Sequence, residues 1–147
     1  MKYLGIDFGT KRIGLAVSDE DGILAFPKKV ILNNALKFEN IQDIIQKEKI
    51  EALVVGEPLN HLGKLNKVSG PIFSFIKDLK KKFNLPLYQQ KEFFTSVEAG
   101  KNLRKTKKTE THTREKKKII PKADDSAAAL ILQRYLDKRN KEEIEKN

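Results

Sequence analysis

Four acids occupy positions where a carboxylate needs a reason. Asp7 interrupts an apolar strand pattern, Tyr3-Leu4-Gly5-Ile6-Asp7-Phe8, just before Gly9-Thr10. A lone carboxylate inside such a strand is costly unless it is paired, hydrogen-bonded or on a metal. No cation alternates with it. An Asp that caps the following turn is the plain alternative. Asp125 falls in the first turn of a helical pattern, where an acid suits the dipole. It also shares a face with Ala128, Ala129 and Leu132. The run Ala127-Ala128-Ala129 has so little bulk that this helix can lie close on a sheet and carry Asp125 towards its middle. Asp124 is the better cap. Glu57 and Glu92 end the fourth and fifth strand patterns, and ligands of open sheets bind beyond the carboxyl ends of parallel strands. Carboxylates gathered there repel one another. A hard cation, Mg²⁺ or Mn²⁺, resolves the conflict. Two such ions about 3.5–4 Å apart support phosphodiester cleavage by activating water and stabilising the leaving oxygen.

The charge is uneven. The chain has 147 residues, with 30 Lys and Arg against 20 Asp and Glu, for a formal net charge of +10. Ten basic residues (Lys101, Arg104, Lys105, Lys107, Lys108, Arg114, Lys116, Lys117, Lys118 and Lys122) stand against Glu110 and Glu115, so residues 101–122 carry +8 and the other 125 carry +2. A basic segment on a near-neutral body predicts a polyanion partner, since each neutralised phosphate releases a condensed counterion. A solvated loop is the bland alternative. The segment has no apolar face for a membrane surface. Acidic ligands in a net basic chain fit a nuclease, with metal at the centre and phosphate contacts around it. The absence of cysteine excludes disulfides, zinc ribbons, iron–sulfur clusters and thiol nucleophiles. The longest apolar run, Ala127 to Leu132, is far short of a membrane span. Met1-Lys2-Tyr3 enters a strand pattern with no secretory h-region. A cytoplasmic location is the expectation.

These groups need a scaffold, and the length favours one domain. Tyr3–Phe8, Ile13–Ser18 and Ile23–Ile31 read as strands. Asp21-Gly22 marks a hairpin, and Pro27 an edge position or a bulge. Phe38, Ile41, Ile44, Ile45 and Lys49 follow helical spacing, with Asn33 or Asn34 as cap. Ala52–Gly56 reads as a buried parallel strand. Ser69 caps a second helix, with Ile72, Phe73, Ile76, Leu79 and Phe83 on one face. Leu85–Gln89 is the fifth strand. Thr95-x-x-Glu98 resembles a capping box opening a third helix. Ala128, Ile131, Leu132, Tyr135 and Leu136 mark the last helix, and a charged tail frays from Lys138. The result is an α/β domain: a five-stranded mixed sheet, a three-strand antiparallel meander plus two parallel strands, flanked by helices. The domain covers 1–137 and includes a mobile basic segment, 101–122; the tail covers 138–147.

The chain resembles the YqgF (RuvX-like) family of the ribonuclease H-like superfamily. The resemblance runs from Tyr3 to about Leu136. It rests on Gly5-Ile6-Asp7-Phe8-Gly9-Thr10-Lys11-Arg12-Ile13-Gly14 with Ala16-Val17-Ser18-Asp19, and on Val54-Val55-Gly56-Glu57-Pro58-Leu59-Asn60 with Gly63. Glu92, Thr95-Ser96-Val97-Glu98-Ala99, Asp125-Ser126-Ala127-Ala128 and Ile131-Leu132-Gln133 complete it. It implies a bacterial cytoplasmic nuclease, dependent on Mg²⁺ or Mn²⁺, that processes the 5′ end of the small-subunit (16S) ribosomal RNA precursor. Asp7, Glu92 and Asp125 match the family's three acids. Charge and position make Lys11 and Arg12 substrate-phosphate contacts. Resolution of four-way DNA (Holliday) junctions and non-catalytic nucleic-acid binding are the alternatives. The partner is structured RNA, or branched DNA in the second case, and the state a monomer or weak homodimer.

The chain departs from the family pattern where Lys91-Glu92-Phe93 replaces Asp-Glu-Arg. Phe93 cannot make an arginine's bidentate phosphate contacts. Glu57 replaces a common Leu and offers an additional carboxylate, either a spare metal ligand or a solvated one. Asp7-Phe8-Gly9-Thr10 also resembles the phosphate loop of actin-like ATPases, but those use two copies of the core and this length holds one. Gly9 to Gly14 has Walker-type glycine spacing without the Lys-Ser/Thr that follows it. His61 and His112 form no ligand pair. Lys80-Lys81-Lys82 closes a helix, as the dipole favours, or meets phosphate.

Overall fold

The computed structural model describes residues 1–57, 69–91 and 123–147. Five strands form one sheet in the order β3-β2-β1-β4-β5. They are β1 Tyr3–Phe8, β2 Arg12–Ser18, β3 Ala25–Leu32, β4 Ala52–Glu57 and β5 Leu87–Lys91. The pairs β1–β2 and β2–β3 are antiparallel; β1–β4 and β4–β5 are parallel. Helices α1 (Lys37–Glu48), α2 (Ser69–Lys82) and α3 (Ala123–Lys146) flank the sheet. The expected mixed sheet is what forms. Pro27 acts as its missing N–H dictates. It lies in an edge strand, and the β2–β3 register slips between Leu15 and Ala16, leaving Lys28 as the additional residue of a bulge.

Side-chain alternation along each strand builds two cores. Leu4 and Ile6 of β1 and Leu53 and Val55 of β4 pack with Ile41 and Ile44 of α1 and Ile72, Phe75 and Leu79 of α2. Tyr3, Ala16, Ala52 and Val54 face the other way and pack with Ala128, Ile131, Leu132 and Leu136 of α3. Full burial of each large aliphatic side chain contributes about 1.5–3 kcal/mol. Glu48 at the end of α1 meets Lys2, just before β1, at 2.9 Å and Lys28 of β3 at 2.6 Å.

Several boundaries differ from the sequence expectation. On α2, Phe75 is buried and Phe73 is exposed. Both fit an apolar period, but Ile72 and Leu79 set the centre of the stripe, and position 73 lies about 100° round from it. The N-cap of α1 is Leu36, not Asn33 or Asn34, and it makes no side-chain cap bond. Asn34 Oδ1 instead accepts the Leu36 N–H at 2.9 Å, one turn early. Strand β5 begins at Leu87, because Pro86 contributes only its carbonyl, accepting the Leu53 N–H at 2.8 Å. The charged stretch from Lys138 does not fray: α3 continues to Lys146. There Arg139 bridges Glu143 at 2.8 Å, and Asn140 donates to the Gly22 carbonyl at 3.0 Å. The expected helix at Thr95-x-x-Glu98 lies outside the described residues.

Candidate active site

Asp7 lies at the carboxyl end of β1, half-buried. Alternation places it with Tyr3 and Gly5 on the face that α3 covers. Its register partner on β2 is Gly14. On the other side, Gly56 follows Val55, the β4 partner of Ile6. The strand positions beside Asp7 therefore carry no side chains.

Helix α3 runs across this face at contact distance. A Cβ on Gly5 would stand 2.7 Å from Leu132 Cβ and 3.1 Å from the Ala128 carbonyl oxygen. The Tyr3 ring meets the Tyr135 ring at 5.7 Å. Residue 135 thus lies over residue 3, and residues 128–132 over residue 5. The amino-terminal turn of α3 consequently points to the Asp7 end of β1. Position 125 is one turn ahead of Ala128 on this backbone.

The β1–β2 turn is held from a distance. Asn33 Nδ2 donates to the Gly9 carbonyl at 2.8 Å, and the Asn33 N–H donates to the Lys11 carbonyl at 2.9 Å. Gly9 has no room for a side chain: a Cβ there would lie 2.5 Å from the Arg12 carbonyl oxygen. Lys11 and Arg12 project from this turn, both exposed. Sequence reading considered Asn33 only as a helix cap. Nothing local marks an Asn that pins a turn 24 residues earlier.

Glu57 does not join Asp7. It alternates with Leu53 and Val55, which places it on the α1–α2 face. Its register partner is Lys91. Two of the three departures from the family pattern, Glu57 and Lys91, are therefore cross-strand neighbours of opposite charge. Glu92 follows Lys91 and lies outside the described residues, as do Phe93, His61, His112 and the basic residues from Lys101 to Lys122. Among the described residues, no three His, Cys, Asp or Glu side chains gather as a metal group.

The RuvX family model, described as Holliday junction resolvase, matches residues 1–138. A Nitratidesulfovibrio vulgaris protein named "Putative pre-16S rRNA nuclease" is 37% identical over 139 residues, covering 93% of this chain and 94% of that one. A Streptococcus mutans protein of the same name is 36% identical over 146 residues, covering 94% and 99%. Thermus thermophilus RuvC, solved with a Holliday junction substrate, superposes with a TM-score of 0.54 at 16% identity over 95% of this chain and 96% of that one. The fowlpox virus Holliday junction resolvase gives 0.53 at 16% identity, over 94% and 99%. The two structures share the fold. The family match spans both the strand that bears Asp7 and the helix that bears Asp125, and the chain belongs to the RuvX family of nucleases, hydrolases of phosphodiester bonds.

Proposed function

We propose that this protein is a Mg²⁺- or Mn²⁺-dependent nuclease that processes the 5′ end of pre-16S ribosomal RNA in the cytoplasm. One observation carries the reading. The glycine contact between β1 and α3 directs the first turn of α3, with position 125, towards Asp7, whose neighbouring strand positions are Gly14 and Gly56. Asp7, Asp125 and Glu92 would hold the ion. Bound there, it supplies Lewis acidity at the phosphate and lowers the pKa of water. Glu57, on the opposite face, is the reserve carboxylate of the set and first of all balances Lys91.

The chain's own groups do the rest. Lys11 and Arg12, on the turn fixed by Asn33, grip the phosphates beside the bond to be cut. The basic residues of 101–122 add backbone contacts whose strength falls with salt. The names of the relatives support the RNA substrate. The family description supports a second reading, four-way DNA junctions, which would need a symmetric dimer for paired cuts. No helix among the described residues is long and apolar enough to cross a membrane.

The test is cleavage of a labelled RNA spanning the 5′ precursor end, with Mn²⁺, beside a four-way DNA junction and an Asp7→Asn control. Metal-dependent RNA cutting that Asp7→Asn loses is the expected result. Cutting of the junction alone would replace the RNA reading with the resolvase one. Tight metal-independent binding without cutting would leave a binding protein.

A further inference from the structure

We propose that Lys37, Phe38 and Lys82 form a second contact surface for the nucleic-acid backbone, on the α1–α2 face; this rests on the nuclease reading above. Two ammonium groups from different helices converge on one ring. Lys37 Nζ lies 5.1 Å from the Phe38 centroid and Lys82 Nζ lies 5.0 Å from it. Lys37 Nζ also donates to the Asn34 carbonyl at 3.4 Å, and cation–π attraction accounts for each ring contact singly, while the two like charges at one ring repel each other. Neither lysine has a carboxylate within ion-pair distance among the described residues.

The helix dipole explains only half of the arrangement. Lys82 closes α2, where a cation is favoured. Lys37 opens α1, at the positive end of the dipole, where a cation is disfavoured. The cap residue Leu36 gives the first turn of α1 no side-chain hydrogen bond. Glu39 in the first turn of α1 offsets part of this charge, but it pairs with neither ammonium among the described residues. Two ammonium groups at the start of a helix thus leave positive potential at one place on the surface. A phosphate group is the ligand that relieves it.

The position suits a polymer. Phe8, the neighbour of Asp7, packs on Phe75 at 4.8 Å, and Phe75 on Phe38 at 5.7 Å. The lysine pair is therefore two ring-to-ring steps from the strand end that bears Asp7. Asp7 and Phe8 alternate to opposite faces, so the strand passes round the carboxyl end of β1, beside exposed Lys11 and Arg12.

The experiment measures binding of the fluorescein-labelled 5′ precursor RNA by anisotropy across a KCl series, in EDTA to prevent cutting. Lys37→Gln/Lys82→Gln is compared with Lys47→Gln/Lys146→Gln, which loses the same charge elsewhere. Loss of two phosphate contacts should lower the slope of log K against log salt by about 1.4–1.8. Each single variant should lower it by about half of that, and the control pair should not change it. Circular dichroism confirms that the variants fold. Wild-type cleavage together with an unchanged slope in the Lys37/Lys82 variant overturns this surface and leaves the nuclease reading standing. Failure of the wild type to bind RNA at all overturns both.

Discussion

The side-chain amide of Gln133 reads the backbone around Ala25 as a neighbouring strand would. Its Oε1 accepts the Ala25 N–H at 2.9 Å, and its Nε2 donates to the Ile23 carbonyl at 2.8 Å. The amide thereby blunts the start of β3, an edge strand. Pro27 and the bulged Lys28 blunt the middle, since neither a missing N–H nor a kink lets another strand pair there. An unprotected edge beside exposed Ile23, Leu24 and Phe26 would invite association.

Gln133→Leu should therefore do two things. It removes both hydrogen bonds, so exchange of the Ala25 amide with deuterium should speed up while Leu4 and Ile6 in β1 stay protected. It also uncovers the edge, so sedimentation should show more concentration-dependent self-association than the wild type does. Unchanged Ala25 exchange would mean that the hairpin is held by its other contacts, Asn140 to Gly22 among them.

Gly5→Ala tests the closest helix–sheet contact. The new methyl would stand 2.7 Å from Leu132 Cβ, and one of them must move. Overpacking of this kind costs about 1–3 kcal/mol. In a domain of this size that lowers the melting temperature by about 2–4 °C per kcal/mol. Lifting α3 also moves position 125 away from Asp7, so Mn²⁺ affinity should fall along with stability. Leu132→Gly removes the Cβ that the new methyl would meet. The double variant should be more stable than the sum of the single losses predicts, as a urea titration of the four proteins would show.

The reason for Gly5 was only half legible in the sequence. The Ala127-Ala128-Ala129 run announced a helix able to lie close, and alternation announced the sheet, so the approach of α3 to β1 could be argued in advance. Which residue received the helix could not be read, because that depends on a register between elements more than a hundred residues apart. Phe73 and Phe75 were separable in the sequence: Ile72 and Leu79 fix the centre of the α2 stripe, and position 73 lies about 100° round from it. Glu57 shows where spacing misleads. It ends a strand next to the one that bears Asp7, yet the two-residue period sends the two carboxylates to opposite faces. Counting along β4 from Val55 would have shown this.

Tyr135 predicts an alkaline limit to stability. Its ring stacks on Tyr88 at 5.3 Å, and burial, followed by its tyrosine neighbours Tyr3 and Tyr88, pushes its phenol up to about 12. Burial raises Tyr3 as well. A phenol with a raised folded pKa contributes stability that is fully present below its unfolded value, about 10, and is lost as pH rises through the folded one. Denaturant midpoints should therefore decline between about pH 10 and 12. Tyr135→Phe should remove the latest part of the tyrosinate absorbance change and flatten that decline. The chain has three tyrosines and no tryptophan, so the absorbance change can be read without interference. A wild type whose tyrosines all ionise at the ordinary value while still folded would contradict the packing described for Tyr135.

Glu57 and Lys91 offer a test of what each carboxylate is for. They are opposite in the β4–β5 register, at the end of the sheet where Glu92 follows. Opposite charges on neighbouring exposed side chains stabilise by about 0–1 kcal/mol. Glu57→Gln and Lys91→Gln should each cost about that much, and the double variant should cost less than their sum. Metal binding separates charge balance from ligation. If Glu57 only balances Lys91, then Glu57→Gln should weaken Mn²⁺ binding slightly, through lost negative potential. Lys91→Gln should strengthen it slightly, and the double variant should return near the wild type. Asp7→Asn should weaken binding far more than any of the three. A Glu57→Gln loss as large as that of Asp7→Asn, not restored by Lys91→Gln, would make Glu57 a ligand. The β4 end would then have to turn its carboxylate round to the face that α3 covers.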